Sequence, residues 1–504
     1  MKFLAKALAP ACASVIVSAC TSQIARQDFE WKVQLDGGCV PGAISASVPV
    51  VSNGTVYIGS SDGAVYAVDA ATGAQRWRFQ TGAGLPGGTE IIVAPRDSDP
   101  VEMAGRALDQ LGRSRAGGKA QVNATPAIDG NTVYIGSWDR TFYALDAMTG
   151  KPKWSFDSGL PVMEKAVVHA GNVIFVTGGA QARSDRGNGL VYALDSSSGA
   201  KAWVLDTLPD VGSQPKWPSH VPVIKDGVAY ITNWNATQYV KGAADTARVY
   251  VHAIDPASGK TRWSSKLNGA WPSPPAVTQK YVLFTTSPRE NMTTVELHAL
   301  DSSTGKEKWG YRVIGGTHYT FGTRTRNEWQ PPMVVGDDLV LLSTDTDLVG
   351  IDINTGLERW HLTEPFRKEP INQVHLGPLL YVITGDTMSP TLGNLHGIDP
   401  LTGKLAWSMR MVSRNQIRAV IDGVIYFKTA ILRNSLIAVD GITGRELETV
   451  WTSLPVGSES YSICSGPVRH GKQLLISTES QSFSGGRPLR GYLYSVAAPA
   501  GMSQ

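Results

Sequence analysis

The chain has 504 residues, 46 of them basic and 43 acidic, for a formal net charge of +3. So even a balance argues against a nucleic-acid partner, which ordinarily demands a strong basic excess. With 42% hydrophobic and 18% charged residues the composition is that of a folded globular chain, and 53 glycines with 14 tryptophans point to many tight turns and many large packing residues.

The first 19 residues read as a secretory signal. Lys2 and Lys6 supply a positive start, and residues 8–19 form an uncharged apolar run too short to span a bilayer. The run ends Val17-Ser18-Ala19-Cys20, and small residues before a cysteine resemble the bacterial lipobox. That resemblance implies cleavage before Cys20, lipidation of Cys20, and, with Thr21 rather than Asp next, delivery to the outer membrane. Residues 20–29 are then an anchor linker. No later segment is long and apolar enough to span a membrane.

From residue 30 to 498 the sequence is organised by a repeat. The phrase Asp, two residues, Thr or Ser, Gly occurs eight times, beginning at Asp69, Asp146, Asp195, Asp255, Asp301, Asp352, Asp399 and Asp440. In seven copies a Trp follows the Gly by four residues, from Trp77 to Trp407; in the eighth it slips to Trp451. Short strand-like runs such as Val65-Tyr66-Ala67-Val68 precede the Asp. The carboxylate can accept turn N–H groups, the Gly permits a positive φ, and the Trp opens the next strand. A second hairpin lies upstream, as at Asp129-Gly130-Asn131. Four short strands per unit at a period near 50 describe a propeller blade. The fold class expected is all-β: a single β-propeller.

The chain starts and stops out of phase. Residues 30–33 resemble an outermost strand with no blade before it, and residues 491–496 a third strand with no outermost strand after it. Pairing of the two closes the ring without an exposed edge. It also brings Cys39 and Cys464 into the same or adjoining blades, so a disulfide is expected between them in an oxidising compartment. Nine first-to-third-strand units can be counted. Residues 83–120 exceed what a blade needs and form an insertion, with a short helix suggested by Val101, Ala104, Leu108 and Leu111.

The phrase Ala-Leu-Asp-x-x-Thr-Gly-x-x-x-Trp resembles the tryptophan-docking repeat of propellers of the pyrroloquinoline-quinone (PQQ) type. Eight blades are the norm there. One branch comprises quinoprotein alcohol dehydrogenases, with PQQ and Ca²⁺ in the central funnel; the other is the BamB-like lipoprotein of outer-membrane protein assembly, without a cofactor. The enzymes' Gly-Ala-Glu metal segment is matched by Gly179-Ala180-Gln181, where a neutral Gln181 denies a hard cation its anionic ligand. Asn233 could match a second ligand. The loop expected to carry a catalytic Asp beside a Trp reads Asn268-Gly269-Ala270-Trp271. A carboxylate beside Trp occurs instead at Glu328-Trp329. No Cys-x-x-Cys-His haem motif is present. Gln181, Asn233, Glu328 and Trp329 are thus the candidate cofactor residues, with no catalytic or metal site assigned.

Two other patterns occur. Gly59-Ser60-Ser61-Asp62-Gly63 matches a nucleophile-elbow signature but joins two strands, not a strand and a helix. His252, His298 and His396 fill the slot held elsewhere by Tyr66 and Tyr143, which makes them packing residues before metal ligands. Polar and aromatic residues in loops that begin innermost strands, notably Trp271, Arg324, Asn327, Asn372 and Arg418, are expected to line the funnel mouth. The favoured function is a protein-binding scaffold, lipid-anchored on the periplasmic face of the outer membrane and serving protein assembly there, with no cofactor. The alternative is a PQQ- and Ca²⁺-dependent alcohol dehydrogenase with an atypical metal site.

Overall fold

The computed structural model describes residues 29–37, 47–82, 121–177, 190–208, 220–234, 248–270, 272–287, 294–314, 331–363, 366, 369–385, 392–412, 416–429, 435–451, 460–481 and 490–499. These residues form strands only, arranged in nine antiparallel sheets. Eight are four-stranded blades within residues 50–80, 127–157, 167–206, 223–268, 276–314, 333–362, 371–412 and 416–451. Blade 9 takes its inner strands from residues 460–497 and its outermost strand, Phe29–Leu35, from the other end of the sequence. That strand runs antiparallel to Gly491–Ala497, with Trp31 opposite Ser495 and Leu35 opposite Gly491. The ring therefore has nine blades, not the eight that the family resemblance implies, and it closes by the expected pairing. The 83–120 insertion lies outside the described residues.

Local chemistry explains each blade. In blade 2, the Asp146 carboxylate accepts the backbone N–H groups of Met148 and Thr149 at 3.1 and 2.9 Å and the Thr149 hydroxyl at 2.9 Å. Gly150 then turns the chain at φ +71° and donates its N–H to the Asp146 carbonyl at 2.8 Å. The side chain thus satisfies the turn's donors while the third strand hands over to the fourth.

The same turn joins neighbouring blades. The Trp77 indole of blade 1 donates to the Ala147 carbonyl of blade 2 at 2.9 Å, and its ring lies where a Cβ on Gly150 would sit, 2.6 Å away. Equivalent bonds run from Trp154 to Ser196, Trp203 to Pro256, Trp263 to Ser302, Trp309 to Ile353, Trp360 to Pro400 and Trp407 to Gly441. The N-terminal strand supplies the next: Trp31 donates to the Ala70 carbonyl at 3.0 Å and covers Gly73. Between blades 8 and 9 this dock is missing, because blade 9 has no Asp turn. Trp451 is buried there against Tyr494, and its indole nitrogen has no hydrogen-bond partner among the described residues.

The core is a circle of seams. Nine apolar clusters each draw on two adjacent blades, such as Tyr57, Val65 and Trp77 with Val133, Ile135 and Tyr143. The closing cluster packs Trp31, Leu475 and Leu493 of blade 9 against Val56, Ile58 and Tyr66 of blade 1. A blade is thus buried on both faces only by its neighbours, which is why the ring must close.

The two ends of the blades differ. Connections between first and second strands and between third and fourth strands gather at one, the turn end, and none exceeds six residues. The second-to-third connections and those from one blade to the next gather at the other, the loop end, and include the long segment between Gln80 and Ala127.

Candidate functional site

Chemistry at the loop end is built where the inner strands deviate from regular pairing. In blade 7 the register shifts between Ile371 and Gln373, leaving Asn372 as the extra residue. In blade 8 it shifts between Ile417 and Ala419, leaving Arg418. In blade 9 the inner strand is split into Ser460–Ile463 and Val468–His470, both paired to the same neighbour. A bulge re-aims the side chain it carries. Two of the five expected funnel residues, Asn372 and Arg418, therefore occupy matching positions on adjacent inner strands, which the Ile417 N–H joins by donating to Gln373 Oε1 at 2.8 Å. The side chain of Asn372 lies outside the described atoms, as do Trp271, Arg324 and Asn327 entirely.

Three side chains that sequence reasoning did not single out complete this corner. Lys428 ends the second strand of blade 8, and its ammonium bonds the Ser462 hydroxyl of blade 9. Glu479, on the second strand of blade 9, is 2% exposed and stands opposite Ser462 in the ladder. Burial first, then the nearby Arg418 charge, pull the Lys428 pKa down to about 8, while Glu479 opposes the shift. The corner thus sets two cations against one carboxylate across the seam of blades 8 and 9. The signal was a Lys directly after the apolar run Val424–Phe427 and a Glu three residues after Ile476, invisible without knowing that these strands meet.

Other polar groups at the loop end hold the scaffold. In blade 7 a Glu369 carboxylate oxygen accepts the Thr384 hydroxyl at 3.1 Å and the Asn394 amide at 2.5 Å. In blade 1 Asp62 accepts both the Tyr66 hydroxyl and Arg78 at 2.7 Å. The Gly59–Gly63 segment is accordingly a strand-to-strand turn whose carboxylate is engaged. Glu164, between blades 2 and 3, is held above the usual carboxylate range by burial. His298 stacks on Phe284 and contacts Thr286 and Glu307; His252 bonds Ser264 and the Thr207 carbonyl. No group of three or more His, Cys, Asp or Glu among the described residues is placed to hold a metal ion.

Of the four candidate cofactor residues only Asn233 is described. It is 1% exposed; its amide donates to the Thr207 hydroxyl at 2.7 Å and its carbonyl oxygen accepts the Trp234 N–H at 2.8 Å. A buried amide engaged on both sides is not poised as a ligand. Gln181, Glu328 and Trp329 lie outside the described residues, as do Cys20 and Cys39. Cys464 is disulfide-bonded, its partner also outside them. Cys464 lines a crevice with Leu35 and Ser47, the residues that bracket Cys39 in sequence.

A nine-bladed ring pinned by indole-to-turn docks defines a propeller of the PQQ-repeat class. The family model described as outer membrane protein assembly factor BamB matches residues 23–110, 106–235 and 247–422, and the chain belongs to that family. Its curated relatives fall in two groups. BamB of Nitrosomonas eutropha is 28% identical over 200 residues, covering 37% of this chain and 46% of that protein. Quinohemoprotein alcohol dehydrogenase ADH IIB of Pseudomonas putida is also 28% identical over 200 residues, covering 39% of this chain and 24% of that enzyme. The chain thus spans less than half the length of either relative. Among solved structures, the quinohemoprotein alcohol dehydrogenase of Comamonas testosteroni superposes with a TM-score of 0.52 at 18% identity, over 95% of this chain and 77% of that one. This last likeness is one of fold.

Proposed function

We propose that the protein is a cofactor-free, lipid-anchored propeller of the periplasmic face of the outer membrane, and that it binds protein partners in outer-membrane assembly. The observation that carries this reading is the family match over residues 23–235 and 247–422. The engaged state of Asn233 and the neutral residue at Gln181 support it, since a calcium-held quinone needs ligands that are free and at least partly anionic. The partner site is assigned to the loop end. The Arg418–Lys428–Glu479 corner, packed in the seam of blades 8 and 9, braces an inner strand whose regular pairing is broken, a feature suited to partner binding by strand addition.

The test is crosslinking in cells from a photoreactive residue placed at Ile314, an exposed position at the loop end, and separately at Met148 at the turn end. Adducts with a component of the barrel-assembly machinery from the loop end support the reading; none from either end refutes it. A second reading, a PQQ-dependent alcohol dehydrogenase, is favoured by the match to quinohemoprotein alcohol dehydrogenases and is separated from the first by quinone binding.

A further inference from the structure

The turn end carries an apolar arc that the fold does not use. The position two residues after the turn Asp is Ala71, Ser197, Ala257, Ser303 and Asn354 in blades 1, 3, 4, 5 and 6, but Leu401 in blade 7 and Ile442 in blade 8. The position five residues after the Asp is Lys151, Lys260 and Lys306 in blades 2, 4 and 5, but Leu357 in blade 6. Leu357, Leu401, Leu405 and Ile442 are 68, 57, 59 and 58% exposed. Isolated exposed leucines are ordinary. Four of them on three consecutive blades, at slots that other blades give mostly to small or polar residues, are a patch. Blade 2 offers one comparable side chain, Met148, across the ring.

The next blade along the arc, blade 9, holds the N-terminal strand Phe29–Leu35. Phe29 pairs with Val496. The first-to-second-strand turn of blade 9 lies at the same place, as the Ala498 N–H donates to the Lys472 carbonyl and Gln473 bonds Glu30. Phe29, the first described residue, therefore lies at the turn end and packs in the seam with blade 8; the apolar run 8–19 and Cys20 precede it in the sequence. Residues 20–28 can reach at most about 30 Å when fully extended. Exposed Lys404 and Arg445 flank the arc, as do the exposed carboxylates of Asp337, Glu358, Asp422 and Glu446, while the Asp399 and Asp440 carboxylates are engaged in their own turns. Apolar tips with a charged rim suit the headgroup region of a bilayer.

We propose that the turn end of blades 6–9 rests on the lipid bilayer, with Leu357, Leu401, Leu405 and Ile442 entering the headgroup region and the loop end directed away from the membrane. This rests on the lipid-anchor reading above and adds an orientation to it. The test uses the full mature protein on vesicles of phosphatidylethanolamine and phosphatidylglycerol, with an environment-sensitive fluorophore at Leu401→Cys, Ile442→Cys or Ile314→Cys and a quencher carried by the lipid. Quenching at 401 and 442 at least threefold greater than at 314 is expected. Equal quenching at all three, or more at 314, overturns the proposal. Mass measurement of the N-terminal peptide reports separately whether Cys20 is lipidated. If it is not, the anchor reading fails, and the arc is tested by sedimentation of the unlipidated protein with the same vesicles. A fivefold loss of bound protein in Leu401→Asp/Ile442→Asp, with an unchanged melting temperature, supports the arc; unchanged binding, or no binding of the parent, overturns it.

Discussion

Replacing Gly150 by Ala tests the inter-blade dock most sharply, because the structure provides its own control. Gly150 sits at φ +71°, and a Cβ there would lie 2.6 Å from Cδ2 of Trp77. Gly130 also has a positive φ, +54°, but a Cβ there would meet nothing within 4 Å. The left-handed backbone costs an L-residue about 1–2 kcal/mol at either site. Only Gly150 adds overpacking, about 1–3 kcal/mol, since the indole is held against the same turn by its bond to the Ala147 carbonyl. Gly150→Ala should therefore cost about 2–5 kcal/mol and Gly130→Ala about 1–2 kcal/mol. Urea unfolding followed by tryptophan fluorescence reads the difference as a lower midpoint for Gly150→Ala. Equal midpoints would mean that the glycine serves only the turn, and the docking argument fails.

Three further outcomes follow from the same geometry. Trp31→Phe keeps most of the ring but orphans the Ala70 carbonyl, and should destabilise by about 1–3 kcal/mol, measured in the same titration; no loss would mean that the N-terminal strand does not lock blade 9 to blade 1. Stability should fall in two stages with acid. Burial depresses the pKa of His375 to about 4 and that of His252 below its ordinary value, so their contribution is complete above about 6.5 and is lost as the pH falls toward 4. The turn carboxylates are depressed by the hydroxyl, N–H and guanidinium groups around them, Asp195 and Asp352 to about 2, so theirs is present above about 4 and lost as the pH falls through 2. A melting temperature flat from pH 7 to 3 would contradict both. Non-reducing peptide mapping should recover Cys464 linked to Cys39, and Cys464→Ser should cost about 2–4 kcal/mol; linkage to Cys12 or Cys20 would refute that pairing.

The repeat was legible because each copy carries its own physics: an Asp that caps a turn, a Gly that permits it, and a Trp that leaves for the next blade. Ring closure was legible because Trp31 and residues 491–496 each lack the neighbour the repeat demands. The number of blades was harder to read, since blade 9 has no Asp turn and connections such as 81–126 obscure the period. The polar corner was only half visible. Arg418 and Asn372 stand out as polar residues opening inner strands, but nothing local reports that each sits at a bulge. Lys428 and Glu479 belong to different repeats and meet only because the blades pack side by side. Contacts made within one repeat can be read from one repeat; those made between blades depend on the closed ring.

The propeller is proposed to bind protein rather than a redox cofactor. The direct measurement is equilibrium dialysis of the purified protein against PQQ with millimolar Ca²⁺, followed by dye-linked oxidation of primary alcohols. The account predicts no retained quinone and no dye reduction above buffer. One PQQ per chain, with alcohol-dependent turnover, would contradict it.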